Sequence, residues 1–294
     1  MPNLSSSEIK HRLKSIKSIS KATKAMELMA SLKMSAAIER MERSEEYFSE
    51  VHNSLHDVAL SVKGLNHPFT KQREIKKTCI AIISAERGFC GGYNSNLINQ
   101  VKLEMDKKDA IFLPLGKKAK NFILKNNLSL INNYEQYNQP IDKFSMKDLR
   151  YLSFELTNQF KEKLWDELII VYTHFHSMVT QTPVSLKILP LFDDNTKEVN
   201  SRNSILYEPS METVLDNLVP KFIFGLIYGA ITQAYASEIA ARKMAMDTAN
   251  KNAKELIDLL QIQFNRLRQE QITQELSEII GSSKNANKEE NYEY

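Results

Sequence analysis

The chain has 294 residues, 42% of them hydrophobic and 26% charged, with a formal net charge of +3. That length supports a sizeable core and one or two domains, and that charge is too small to argue for nucleic acid as a partner. Two cysteines, Cys79 and Cys90, form no CxxC pair and exclude a disulfide framework or a cysteine zinc site.

The N-terminal stretch MPNLSSSEIK has no apolar core, so no secretory signal is expected. From residue 3 to 63 there is neither Gly nor Pro, and Ser5 followed by Glu8 reads as a capping box. Small or apolar residues then recur at gaps of three and four, from Ile16 through Met26, Ala30, Met34, Ala37, Met41 and Ser44 to Val62. The stripe predicts one helix of about 70 Å, bounded by Gly64 and Pro68. Met26, Met29, Met34 and Met41 are expected in its seam. Between Glu8 and Lys24 lie six basic residues (Lys10, Arg12, Lys14, Lys17, Lys21 and Lys24) and one acid. Such a run is a solvated helix face, or a face that meets an acidic partner; it lacks the interleaved aromatics of a nucleic-acid surface.

Residues 75–205 change character. TCIAIIS (78–84), IFLPLG (111–116), ELIIVYT (167–173) and VSLKILP (184–190) read as strands. Helices are expected over 95–105, over KKAKNFILKNN, and from a Ser145–Asp148 cap to near Trp165. Alternating strands and helices predict a Rossmann-like α/β domain with a mainly parallel sheet. The loop ERGFCGGYN (86–94) stands between a strand and a helix, where phosphate loops occur. It lacks the Lys and hydroxyl of GxxxxGK[ST], and reads as a tight turn in which Gly91 and Gly92 supply unusual dihedrals. Cys90 in that loop is expected to be packed, not nucleophilic. His174 and His176 fall on one face of a strand end; no carboxylate or Cys lies at ligand spacing, and a solvated strand end is expected.

The apolar run 222–230 is short and interrupted by Gly225 and Gly229, so no membrane span is expected. From Ala230 to Ile280 Gly and Pro are again absent, and Gly281 is the expected C-cap. Ala234, Ala241, Ala245, Ala253, Leu256, Leu260, Phe264 and Leu267 form the expected stripe. Two long helices at opposite ends of the chain, with a domain between them, predict an antiparallel coiled coil. The expected divisions are an N-terminal helix at 1–66, the α/β domain at 75–205, a C-terminal helix at 211–281 and a disordered polar tail at 282–294.

Four blocks, in order, resemble the γ subunits of F-type ATP synthases: SIKSISKATKAMELMASLKM (15–34), ERGFCGGYN (86–94), ASEIAARKMAM (236–246) and NRLRQEQITQELSEIIG (265–281). The resemblance implies a rotary shaft with no catalytic residue and no cofactor of its own. ATP, ADP and Mg would be bound by partner subunits. The paired helices would stand inside a catalytic head of α and β subunits, with ε beside the α/β foot, a membrane c-ring beneath it and δ as a further partner. No nucleic acid is implied, and the chain would be peripheral to the cytoplasmic face of a bacterial membrane. Met26, Arg242, Arg268, Gln269, Thr273 and Glu275 match positions that contact the head or brace the helices, and Tyr207 and Glu208 match a segment that faces the c-ring. Ile205, Ser35, Ala36 and Glu86 depart from the family pattern. These departures motivate a second reading, the same shaft in an F-type-like motor that drives motility.

Overall fold

A computed structural model describes residues 5–61, 67–70, 73–105, 109–137, 139–191 and 210–289. In chain order the elements are α1 (Ser6–Ser61), β1 (Lys77–Ile83), α2 (Tyr93–Met105), β2 (Asp109–Leu115), α3 (Lys117–Lys125), α4 (Met146–Lys161), β3 (Glu167–Phe175), β4 (Gln181–Leu189) and α5 (Met211–Glu289). Residues up to Leu28, together with those from Met246 onward, form one compact unit; Met29–Ala245 form the other. Helices α1 and α5 contribute to both.

Both expected capping boxes are present. The Ser5 hydroxyl accepts from the Glu8 N–H at 3.3 Å, while the Glu8 carboxylate accepts from the Ser5 N–H at 2.8 Å. That backbone bond, with the Ser5 hydroxyl, holds the Glu8 carboxyl below its ordinary range. Ser145 and Asp148 repeat the arrangement at the start of α4.

The second unit carries a four-stranded sheet in the order β2-β1-β3-β4. Strand β1 runs parallel to β2 and β3, and β3 and β4 form an antiparallel hairpin. The mainly parallel expectation therefore meets one antiparallel edge. The hairpin follows from the short link between β3 and β4, since a parallel crossover needs about a dozen residues. Both faces are covered, which is why β1 is an unbroken apolar run. Cys79, Ala81 and Ile83 face a core with Leu156, Phe160, Trp165, Ile223 and Ile227. Ile80 and Ile82 face Leu97, Val101, Ala119 and Ile123 on α2 and α3.

Gly116 ends β2 with φ +98°, and a Cβ there would lie 2.3 Å from the Ser84 carbonyl oxygen. Backbone cannot yield as a flexible side chain does. Gly116→Ala is expected to lower unfolding free energy by about 2–3 kcal/mol in urea titration, and an unchanged midpoint would contradict this packing.

Helix α5 begins at Met211, passes through Pro220, and continues beyond Gly281 to Glu289. The helix thus does not stop at Gly281, where a C-cap was expected. An interior Gly costs only about 1 kcal/mol, and the Lys, Ala and Glu after it tolerate a helix. The apolar stretch of α5 is longer than the run 222–230. Within α5 an 18-residue window has mean hydropathy 1.4, long and apolar enough to cross a bilayer, and 61% of it is buried. Its apolarity is accounted for by packing against the sheet.

In both units α1 and α5 run antiparallel. In the second, Ala30 and Met34 pack with Ile239 and Ala240, Ala37 and Met41 pack with Ala236, and the Ser44 and Thr232 hydroxyls meet at 2.6 Å. In the first, the Thr23 hydroxyl donates to Asn250 Oδ1 at 2.5 Å, and Asn250 Nδ2 donates to Glu27 at 2.6 Å. Small buried residues let the helix axes approach closely, and the polar pairs favour one register over a slipped one. The seam uses Ala236, Ile239 and Ala240. Ala234 instead faces the sheet, Ala241 faces the 86–94 loop, and Leu256 is exposed. Met34 and Met41 are seam residues, whereas Met26 and Met29 face outward.

Candidate functional site

The loop 86–94 is a filled turn. Gly91 has φ +55° and Phe89 φ +61°, so the left-handed positions are Phe89 and Gly91; Gly92 is not one of them. The Asn94 side chain ties the turn together: Oδ1 accepts from the Ala85 N–H at 3.3 Å, and Nδ2 donates to Cys90 Sγ at 3.1 Å. Cys90 is buried, and burial pushes its thiol up, so no thiolate nucleophile is prepared there. Cys79, wholly buried on β1, is pushed up to about 12.

Arg242 of α5 reaches this turn. One guanidinium nitrogen donates to Glu238 at 2.6 Å and lies 3.4 Å from the Gly88 carbonyl oxygen, which it also serves as donor. Glu238 and Arg242 stand four residues apart on one helix face, both largely removed from water. Burial raises the Glu238 pKa, and the Arg242 charge opposes that rise. The pair therefore braces helix against loop from inside the unit. Glu238 was not singled out by sequence reasoning, although it lies in the same block as Arg242; its spacing from Arg242 was the available signal.

Arg268, Gln269, Thr273 and Glu275 occupy a different setting. The antiparallel pairing, in which each step forward on α1 is one step back on α5, brings Ser6 level with residue ~267. Beyond that level α5 has no α1 beside it, and every residue from 268 to 280 is exposed. The Thr273 hydroxyl donates to the Gln269 carbonyl oxygen at 2.9 Å. The apolar Ile272, Leu276 and Ile280 are interspersed with these polar groups and are all exposed. Met26, on α1, is 37% exposed. Tyr207 and Glu208 lie outside the described residues.

The His174 and His176 rings stand 4.5 Å apart at the end of β3. Burial, and then the neighbouring imidazole, lower the His174 pKa. No cluster of three or more metal-ligating side chains occurs among the described residues.

Comparison with known proteins bears on this geometry. A family model described as "ATP synthase" matches residues 5–285. The ATP synthase gamma chain of Alkaliphilus metalliredigens is 36% identical over 282 residues, covering 94% of this chain and 96% of its own. The ATP synthase gamma chain of Halothermothrix orenii is 36% identical over 281 residues, covering 94% and 97%. Among solved structures, a chain of the Tetrahymena thermophila mitochondrial ATP synthase central stalk and c-ring aligns with TM-score 0.59 at 22% identity, over 78% of this chain and 99% of its own. A chain of the Euglena gracilis mitochondrial ATP synthase aligns with TM-score 0.55 at 18% identity, over 90% and 96%. These two establish likeness of fold.

Proposed function

This chain belongs to the ATP synthase γ-chain family, and from that premise we propose that it is the central rotary shaft of an F-type ATP synthase, joining ATP synthesis and hydrolysis in a catalytic head to rotation of a membrane c-ring. The observation that carries the reading is the bare end of α5. A helix of ordinary solubility would not leave Ile272, Leu276 and Ile280 exposed beside Arg268 and Gln269 without a surface to receive them. A bore formed by α and β subunits is such a surface. Catalysis belongs to β, which would hold ATP, ADP and Mg; this chain would act by offering each β subunit a different face in turn, so that its rotation shifts the β subunits among open and closed states.

Met26, Arg268, Gln269, Thr273 and Glu275 are the proposed head contacts, and Arg242 the internal brace. Tyr207 and Glu208 are the proposed c-ring contacts, with ε beside the α/β domain and δ as a further member. The complex would sit on the cytoplasmic face of a bacterial membrane. Relatives at 36% identity bear the name of ATP synthase chains, which favours this reading over a motility motor.

The reading is tested by purifying the tagged chain from its native cells and identifying its companions by mass spectrometry. Recovery of α, β, ε and c subunits is expected; absence of α and β would sink it. The head contacts are tested separately. Exposed substitutions leave stability within about 0.5 kcal/mol, so Arg268→Ala with Gln269→Ala should leave the melting curve in place. The Kd for isolated α3β3 should rise about 30-fold, the equivalent of ~2 kcal/mol. Unchanged affinity would remove these two residues from the head interface.

A further inference from the structure

Strand β3 outruns its neighbour. Its pairing with β1 ends at Val171, whereas its pairing with β4 continues to Phe175. Thr173 and Phe175 share parity, so their backbone polar groups point to the same edge, the one that β1 has vacated. Two side chains of α5 take the place of the missing strand. The Phe175 N–H donates to Gln233 Oε1 at 2.9 Å, and the Ser237 hydroxyl donates to the Thr173 carbonyl oxygen at 3.1 Å. Gln233 and Ser237 are both buried. The spacing matches: four helical residues climb about 6 Å, and two strand residues advance about 6.6 Å.

Resting on the shaft reading above, we propose that Gln233 and Ser237 are positioning residues that form the torsional joint between α5 and the sheet, the place where turning force passes between them. Apolar packing resists separation of helix and sheet but is non-directional, and it permits sliding and rolling. Hydrogen bonds to fixed backbone atoms are directional and hold the helix in one register. Tyr93 adds a third bond of this kind, its hydroxyl donating to the Ala234 carbonyl oxygen at 3.1 Å.

The test uses the whole chain assembled with α3β3. Cys79 and Cys90 are buried, so a cysteine introduced by Lys102→Cys, at an exposed position on α2, is the selective anchor for a bead on the sheet domain. In the Gln233→Met, Ser237→Ala variant the angular variance of the bead during a catalytic dwell is expected to rise about twofold, with hydrolysis at zero load unchanged. A purely stabilising role would lower the melting temperature and leave the variance alone. Unchanged variance overturns the joint. A native complex that never rotates counts against the shaft reading itself. Hydrogen exchange on the free Ser237→Ala and Gln233→Met single variants keeps the inference testable if the double variant does not assemble. The Phe175 amide should exchange at least about tenfold faster in Gln233→Met, with the Ile170 amide unchanged, and equal exchange at Phe175 would refute the capture.

Discussion

Replacing Arg242 with methionine will lower unfolding free energy by about 3–5 kcal/mol near pH 8, because it strands the Glu238 carboxylate without its partner in a buried site. The pH dependence fixes the cause. Burial already raises the Glu238 pKa above its ordinary 4.5, against the pull of Arg242. Without Arg242 it rises further. An acid whose folded pKa exceeds its unfolded pKa favours the folded state at low pH and loses that contribution as pH rises through the folded value. The gap between native chain and variant should therefore be widest in mild alkali and shrink as pH falls toward 4.5. Urea titrations across that range decide the matter, and a gap independent of pH would mean that Glu238 is not the source. The Gly88 carbonyl loses a donor in the same variant, so the 86–94 turn should also show faster amide exchange.

Ala30→Pro is expected to have an effect of similar size and a more severe functional consequence. Ala30 is buried in the middle of α1 against Ile239 and Ala240. Proline there removes the hydrogen bond to the carbonyl four residues back, and its ring collides with that carbonyl, at a cost of about 3 kcal/mol or more. A kink there would also part Ala30 from Ile239 and Ala240 in the seam. In inverted membrane vesicles carrying the reconstituted synthase, ATP hydrolysis should persist while ATP-driven proton pumping is lost. Pumping at the native ratio to hydrolysis would argue against a rigid shaft.

Local chemistry is legible in the sequence. The Ser5–Glu8 and Ser145–Asp148 boxes involve atoms a few residues apart, so they form wherever a helix starts, and both are present. The apolar runs of β1 and β3 are explicit because a strand buried on both faces has no polar side to hide. The long Gly- and Pro-free end of the chain announced α1, and opposed helices at the two ends made the antiparallel pairing readable.

Which face of α5 meets which neighbour is set by long-range packing. From Phe222 to Ala240 it is buried nearly all round, between α1 on one side and the sheet on another. Periodicity can choose a face only when one face is wet, so Ala234 and Ala236 look alike in sequence yet pack against the sheet and against α1 respectively. The partners of Arg242, Gln233 and Ser237 include backbone atoms of residues 58 to 154 positions away in the chain. Backbone carries no side-chain signature, so such bonds leave no pattern in the sequence. The bare end of α5 is decided the same way: Arg268 is free for a partner because α1, paired in this register, does not reach it.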